Sequence, residues 1–398
     1  MIGRTVWTAA VAGAAALLLA ACGSDTTPAG AGGSGGPPAL SAPASLGANE
    51  GQLSIIAWAG YAEDGTNDKT VDWVTPFEKN TGCQVNVKVG NTSDEMVTLM
   101  KTGQYDGVSA SGDATLRLIY GGDVAPVNTS LVPSYATIVD FLKDRPWNSV
   151  SGAMYGIPHG WGANVLSWRT DKVSPAPDSW GVVFDPNSPY KGKVTAYDSP
   201  IYIADAALYL KATKPDLKIT NPYELDDTQF QAAVDLLKQQ KAIVGEYWAD
   251  YTKAVQALES GDTVLGTEWQ VNVNLVNGGK KAKVSSVVPK EGSTGWSDTW
   301  MVSSKAKHPN CMYAWMDWVT SPKVNAQVAE WFGEAPAQTK ACENTADKGH
   351  CTTYHALDKA YAERISYWTT PTKNCGDSRG SVCKDYAAWT QAWTEIKG

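Results

Sequence analysis

The sequence predicts an α/β protein whose sheets are covered by helices on both faces and divided between two lobes. Three observations carry this. From Leu53 onward, short apolar or alternating runs take turns with amphipathic runs of helical period. The helical runs open on capping residues and close on glycine. The part of the chain able to fold, from near Gly51 to Gly398, belongs to a sequence that is 43% hydrophobic and is too long for one ordinary core.

LSIIAW (Leu53–Trp58) reads as an apolar strand. VTPFEKNTG (Val74–Gly82) reads as a helix stopped by Gly82, and CQVNVKV (Cys83–Val89) resumes as an alternating strand. Thr92 offers an N-cap with Glu95 three residues on, a capping box that opens a helix with Met96, Leu99 and Met100 on one face. DDTQFQAAVDLLKQQK (Asp226–Lys241) is an amphipathic helix carrying Phe230, Val234 and Leu237. Asp250–Ser260 is another, closed by Gly261 and followed by the strand TVLGTEW. SPKVNAQVAEWFG has Ser321 as cap, Pro322 at the first helical position and Gly333 as stop.

Before this body come two segments of a different kind. Arg4 is followed by an apolar run that ends in LAAC (Leu19–Cys22), the pattern of a secretory leader over residues 1–21 with a lipidation box. Acylation of Cys22 would hold the exported protein on the outer face of a bacterial plasma membrane, and the run is too short to span one. An ordinary leader would leave Cys22 as an unpaired thiol in an oxidising compartment. Residues 22–50 are mostly Gly, Ala, Pro, Ser and Thr and are expected to form a flexible leash.

The formal charge is −8, and losing the leader removes only Arg4. An acidic body argues against nucleic acid or anionic lipid as partners and favours cationic ones. A monomer without a cofactor is expected, touching the membrane through its anchor alone. Six further cysteines, Cys83, Cys311, Cys342, Cys351, Cys375 and Cys383, suit disulfides in an exported chain. Spacing suggests Cys342–Cys351 and Cys375–Cys383, which leaves Cys83 for Cys311, although six cysteines allow fifteen pairings. A zinc site of Cys342, His350, Cys351 and His355 is the alternative, at a spacing that matches no standard finger.

Motifs for catalysis are poor. The G-x-G-x-x-G at Gly30–Gly35 and the G-x-S-x-G at Gly32–Gly36 lie in the leash, with no strand or helix to support them. His159 in IPHGW has Pro158 before it and Gly160 after, which reads as a turn with a packed or hydrogen-bonded histidine. What stands out is 17 Trp and 17 Tyr against 5 Phe, a bias toward rings with a polar edge. Trp315, Trp318 and Trp331 sit at helical spacings and read as packing. Those expected at strand ends or glycine-rich turns, where α/β folds bind ligands, are Trp58, Tyr61, Trp269 and Trp296, with Ser111, Asp113 and Asp298 beside them.

These residues resemble the spermidine/putrescine-binding proteins of ABC importers. The resemblance runs from Leu53 to about Trp368 and comprises W-x-x-Y (Trp58, Tyr61), F-E-K-x-T-G (Phe77–Gly82) and Y-D-x-V with a following serine (Tyr105, Asp106, Val108, Ser111). It continues through I-P-x-x-W-G-A (Ile157–Ala163), Y-K-G (Tyr190–Gly192), L-G-x-x-W (Leu265–Trp269), and P-K-E-G followed by W-x-D (Pro289–Gly292, Trp296, Asp298). It implies a two-lobed periplasmic-binding-protein fold, with residues 51–163 and 298–342 in one lobe and 164–297 and 343–398 in the other. Strands would cross near Ala163 and Trp296, and a ligand would be buried between the lobes.

By the same resemblance Trp58, Tyr61, Trp269 and Trp296 are aromatic walls, Ser111 is a polar contact and Asp298 recognises an amine. The plainer alternatives are a turn-capping role for Asp298 after Gly295 and simple packing for the two tryptophans. The departures from the family are equally specific. Ser199 and Tyr202 fall where relatives carry further acids, with Asp198 one residue off, and Asp113 and Glu334 fall where tyrosines are usual. The implied function is capture of a polyamine or other organic cation for an ABC permease. A sugar-binding importer component and a secreted glycoside hydrolase compete with it.

Overall fold

The computed structural model describes residues 36–398. The leader, Cys22 and the glycine matches around Gly30–Gly35 lie outside them. The described strands are β1 (Gln52–Ala57), β2 (Gln84–Val89), β3 (Gly107–Ala110), β4 (Ser149–Val150), β5 (Ala153–Met154), β6 (Ile157–Arg169) and β7 (Val194–Tyr197). They continue as β8 (Val244–Trp248), β9 (Leu265–Trp269), β10 (Val284–Val287), β11 (Ser293–Val302), β12 (Ala335–Pro336) and β13 (Ile365–Tyr367). One sheet runs β2-β1-β3-β11-β6-β9-β7-β8, with β10 and β12 also on β6 and β13 on β11.

Two parallel segments, β2-β1-β3 and β9-β7-β8, flank two long antiparallel strands. β6 changes partner along its length: Ile157–Ala163 lies on β11 and Asn164–Trp168 on β9. β11 in turn pairs with β3 through Thr299–Val302. Side chains of one strand alternate between two cores. Leu53, Ile55 and Ala57 of β1 join Phe77, Trp300 and Trp315 on one face, and Ile56 joins Met96, Leu118 and Met301 on the other. The second segment has its own core, in which Val194 and Ala196 meet Leu237, Trp389 and Trp393.

The helix signals hold with two adjustments. Gly82, Gly261 and Gly333 all end helices at positive φ, 77°, 83° and 87°, where a Cβ would be strained. Thr92 caps Glu95 N at 3.1 Å, but the Glu95 carboxylate accepts from Asn91 N rather than Thr92 N, so the box closes one residue early. Asp226 and Gln229 complete theirs. Ser321 precedes Pro322 as expected, yet its hydroxyl donates to Trp318 O at 2.6 Å instead of capping.

Two expectations are corrected. Residues 36–50 contain no helix or strand, but they are not a free leash. Asn128 Nδ2 donates to Pro43 O at 3.0 Å, and the Glu50 carboxylate accepts from Asn310 N and Cys311 N at the start of the helix Pro309–Val319. A carboxylate there meets unpaired amides and the positive end of the helix dipole. His159 is in β6, not a turn, because its neighbours pair on both sides with β11 and β12. The disulfides are Cys83–Cys311, Cys342–Cys351 and Cys375–Cys383, so the zinc alternative loses its two thiolates to each other.

Candidate functional site

Trp296 and Asp298 are two residues apart on β11 and face the same way. Opposite them on β6 are Gly162 and Gly160. A Cβ at Gly160 would stand 2.1 Å from the Glu334 carboxyl group, and one at Gly162 would stand 2.9 Å from Cζ2 of Trp296. The two glycines clear a floor on which an acid and an indole can lie. Glu334 is delivered by Gly333 at the end of the helix Pro322–Phe332, just before β12 pairs with Trp161 and Gly160.

Tyr61 ties the acids together. Its hydroxyl is 2.7 Å from Asp298 Oδ2 and 2.8 Å from Glu334 Oε2, and Ser111 donates to Asp298 Oδ1 at 2.5 Å. A phenol has one proton and cannot donate to both carboxylates, so in this arrangement one acid is protonated. Burial pushes Asp298 up to about 6, against the hydrogen bonds from Ser111 and Tyr61. Burial and then the charge of Asp298 hold Glu334 well above the usual carboxylate range. His159 bonds Ser109 Oγ at 2.8 Å and puts Nδ1 3.7 Å from Glu334 Oε1, but burial keeps its ring neutral.

An aromatic box stands over the acids. Trp296 meets Trp269 at 6.2 Å and Phe332 at 6.0 Å, both edge-on, and Phe332 lies 4.1 Å from the Tyr61 ring. Trp269 is backed by Trp248 at 5.0 Å and Tyr197 at 5.7 Å, and Tyr197 stacks on Trp368. The Trp269 indole donates to Asn164 Oδ1 at 3.1 Å. Trp269, Trp296, Glu334, Tyr354 and Tyr361 line a nearly shut pocket whose free space is about 10 Å³, the size of one water. A far larger hollow of about 750 Å³ lies between the helices Asp227–Gln240 and Tyr386–Lys397. It holds none of these acids, and both of its lysines are paired with acids of its own lining, Lys238 with Glu395 and Lys384 with Asp227.

The structure thus brings Tyr61, Ser111, Trp269, Trp296, Asp298 and Glu334 together. Asp298 is in the middle of a buried strand, at a register shift before Thr299, so it caps no turn. Asp113 is behind the group, bonded to Ser93 Oγ at 2.9 Å, and burial raises it to about 6 against the pull of Arg117. Trp58 is half-buried against the two cores around β1. Tyr202 is placed elsewhere. It packs with Phe184 and Trp393 in the second core, and Gln240 Nε2 donates to its hydroxyl at 3.0 Å. Asp198 also turns away, to Trp393 Nε1 and Lys397. Phe332, Tyr197 and Tyr354 were not singled out in the sequence, where nothing separates them from packing aromatics.

Residues 72–352 match the family described as bacterial extracellular solute-binding protein. The chain belongs to that family. Relatives include the putrescine-binding periplasmic protein of Escherichia coli, 25% identical over 75% of this chain and 80% of that one. The putrescine/cadaverine-binding protein of Pseudomonas aeruginosa is 22% identical over 71% of this chain and 78% of its own. Among solved structures, the spermidine/putrescine ABC transporter substrate-binding protein of Streptococcus pneumoniae superposes with a TM-score of 0.67 at 18% identity, covering 87% of this chain and 97% of that one. The mixed sheet of this solute-binding protein, with β6 and β11 passing between two parallel segments, is therefore the two-lobed fold of that family.

Among the described residues no Lys or Arg pairs with Asp298 or Glu334, and none of the described acids, histidines and cysteines gather into a metal site. No described helix is long and apolar enough to cross a membrane.

Proposed function

We propose that this protein is anchored through Cys22 on the outer face of the plasma membrane, captures a polyamine or related organic cation, and passes it to an ABC permease. The observation that carries the reading is a pair of buried carboxylates, Asp298 and Glu334, gathered under indole and phenyl faces with no Lys or Arg among the described residues paired to them. Stripping water from an ammonium costs several kcal/mol. Aromatic faces return about 0.5–2 kcal/mol each, and a carboxylate supplies a charge-assisted hydrogen bond that fixes position.

Residues 51–163 with 298–342 form one lobe in this reading and 164–297 with 343–398 the other, so that β6 and β11 cross between them at the ligand. Trp58, Tyr61, Ser111, Trp269, Trp296, Asp298 and Glu334 hold it, with Asp113 behind. Because the pocket is nearly shut, its walls must part for a ligand to enter, which is binding by lobe closure rather than by a static cavity. The names of the Escherichia coli and Pseudomonas aeruginosa relatives point to the same ligand class.

A melting screen tests this. A ligand that binds only the folded protein adds RT ln(1 + [L]/Kd), about 2.7 kcal/mol at a hundredfold excess over Kd. Putrescine or spermidine should raise the melting temperature by several degrees without being consumed, and maltose should not. Stabilisation by sugars alone, or turnover of a glycoside, overturns the reading.

A further inference from the structure

We infer that the cleft prefers a ligand with one ammonium head and an uncharged, acceptor-bearing tail over a diamine of the same length. The inference rests on the organic-cation reading above and narrows it.

The acids are all at one end. Asp298 and Glu334 meet at the Tyr61 hydroxyl, and Glu334 is the one of the two that lines the pocket, so this end can take a single ammonium. From Glu334 the pocket runs past Trp296 and Trp269 to Gln270 and Tyr354, a wall without a carboxylate. The Gln270 amide is held between Asn274 Oδ1 and Ser286 Oγ, each at 3.0 Å, and the Tyr354 phenol accepts from Asn274 Nδ2 at 2.9 Å. Acids nearby in the second segment point elsewhere. Asp198 bonds Trp393, Glu268 accepts from Asn272 at 2.5 Å, and Asp205 accepts from Thr294 at 2.9 Å.

A second ammonium in this wall would lose its hydration with no counter-charge to replace it. The indole faces would return only part of that loss. An independent observation concerns the opposite need. Trp296 Nε1 is buried beside Gly162 and donates to nothing among the described residues. An indole N–H is a donor only, and an ammonium offers it no lone pair. A hydroxyl or carbonyl oxygen on the ligand tail does.

The test is calorimetry at pH 7.5 with putrescine and 4-aminobutan-1-ol, which differ by an ammonium against a hydroxyl. The amino alcohol should bind roughly tenfold tighter or better. In Gln270→Glu, which places a carboxylate at the far wall, the order should reverse. Trp296→Phe keeps an aromatic face but loses the N–H, and it should shrink the advantage of the amino alcohol over butylamine. Putrescine binding as tightly as the amino alcohol or tighter in the unaltered protein overturns the inference while leaving the organic-cation reading intact. Failure of every amine to bind overturns both.

Discussion

Replacing Asp298 by asparagine separates a ligand-recognising acid from a structural one. The substitution keeps the shape, and its carbonyl can still accept from Ser111 Oγ, which lies 2.5 Å from Oδ1. Its amide can donate to the Tyr61 oxygen, leaving the phenol proton for Glu334 at 2.8 Å. The local network therefore survives, and a buried charge beside Glu334 disappears. Since that charge helps to raise Glu334, its loss relieves the unliganded protein. The melting temperature without ligand should hold or rise. Binding should suffer, because a buried ammonium loses its main partner, at about 2–5 kcal/mol, or roughly 30-fold to several thousand-fold in Kd. Calorimetry and melting on the same preparation supply both quantities. An affinity change below about threefold together with a clear fall in unliganded stability would refute the reasoning, since that is what an acid capping backbone amides does, at about 0.5–2 kcal/mol.

Other outcomes follow from the same geometry. Asp298 and Glu334 are held above their unfolded values, so the folded protein keeps protons that the unfolded chain has released. The unaltered protein should lose stability relative to an Asp298→Asn variant as pH rises from about 4 through about 6, and amine affinity should rise over the same window, both readable by melting and calorimetry. Gly160→Ala puts a methyl 2.1 Å from the Glu334 carboxyl group and should cost about 1–3 kcal/mol in denaturant unfolding as well as weakening amine binding. Removing Cys342–Cys351, which spans 9 residues, should cost about 3 kcal/mol, and removing Cys83–Cys311, which spans 228, about 5 kcal/mol. Intact mass under non-reducing conditions should find no alkylatable thiol in a protein starting near Gly51.

Much of this site could be read from sequence because its chemistry is uneven along the chain. Few acids fall between two indoles as Asp298 does, and an excess of Trp and Tyr over Phe marks rings that meet something polar. What could not be read was direction. Gly295, Ser297 and Asp298 have turn propensity, yet they form a strand. A Cβ at Gly295 would meet Gly162 O at 2.5 Å, so the glycine permits close pairing with β6 instead of a bend. The same misreading touches Pro158-His159-Gly160, where glycine keeps a strand surface flat under Glu334. Local propensity has no access to these long-range contacts.

Parity explains the remaining misplacements. In VTAYDSPIY a strand ends at Tyr197, and one residue decides which face a side chain takes. Tyr197 reaches Trp269, while Asp198 meets Trp393 and Lys397 behind it. Tyr202, at the end of the helical turn Pro200–Tyr202, falls into the second core. Matching those positions to acids in relatives assumed that equal spacing gives equal direction. The same ambiguity does not affect Trp296 and Asp298, because both precede the register shift at Thr299 and stand an even number apart on one uninterrupted stretch of β11. The motif W-x-D is informative for that reason: within a strand its two side chains must share a face, so an indole and a carboxylate are delivered to the same side of the sheet.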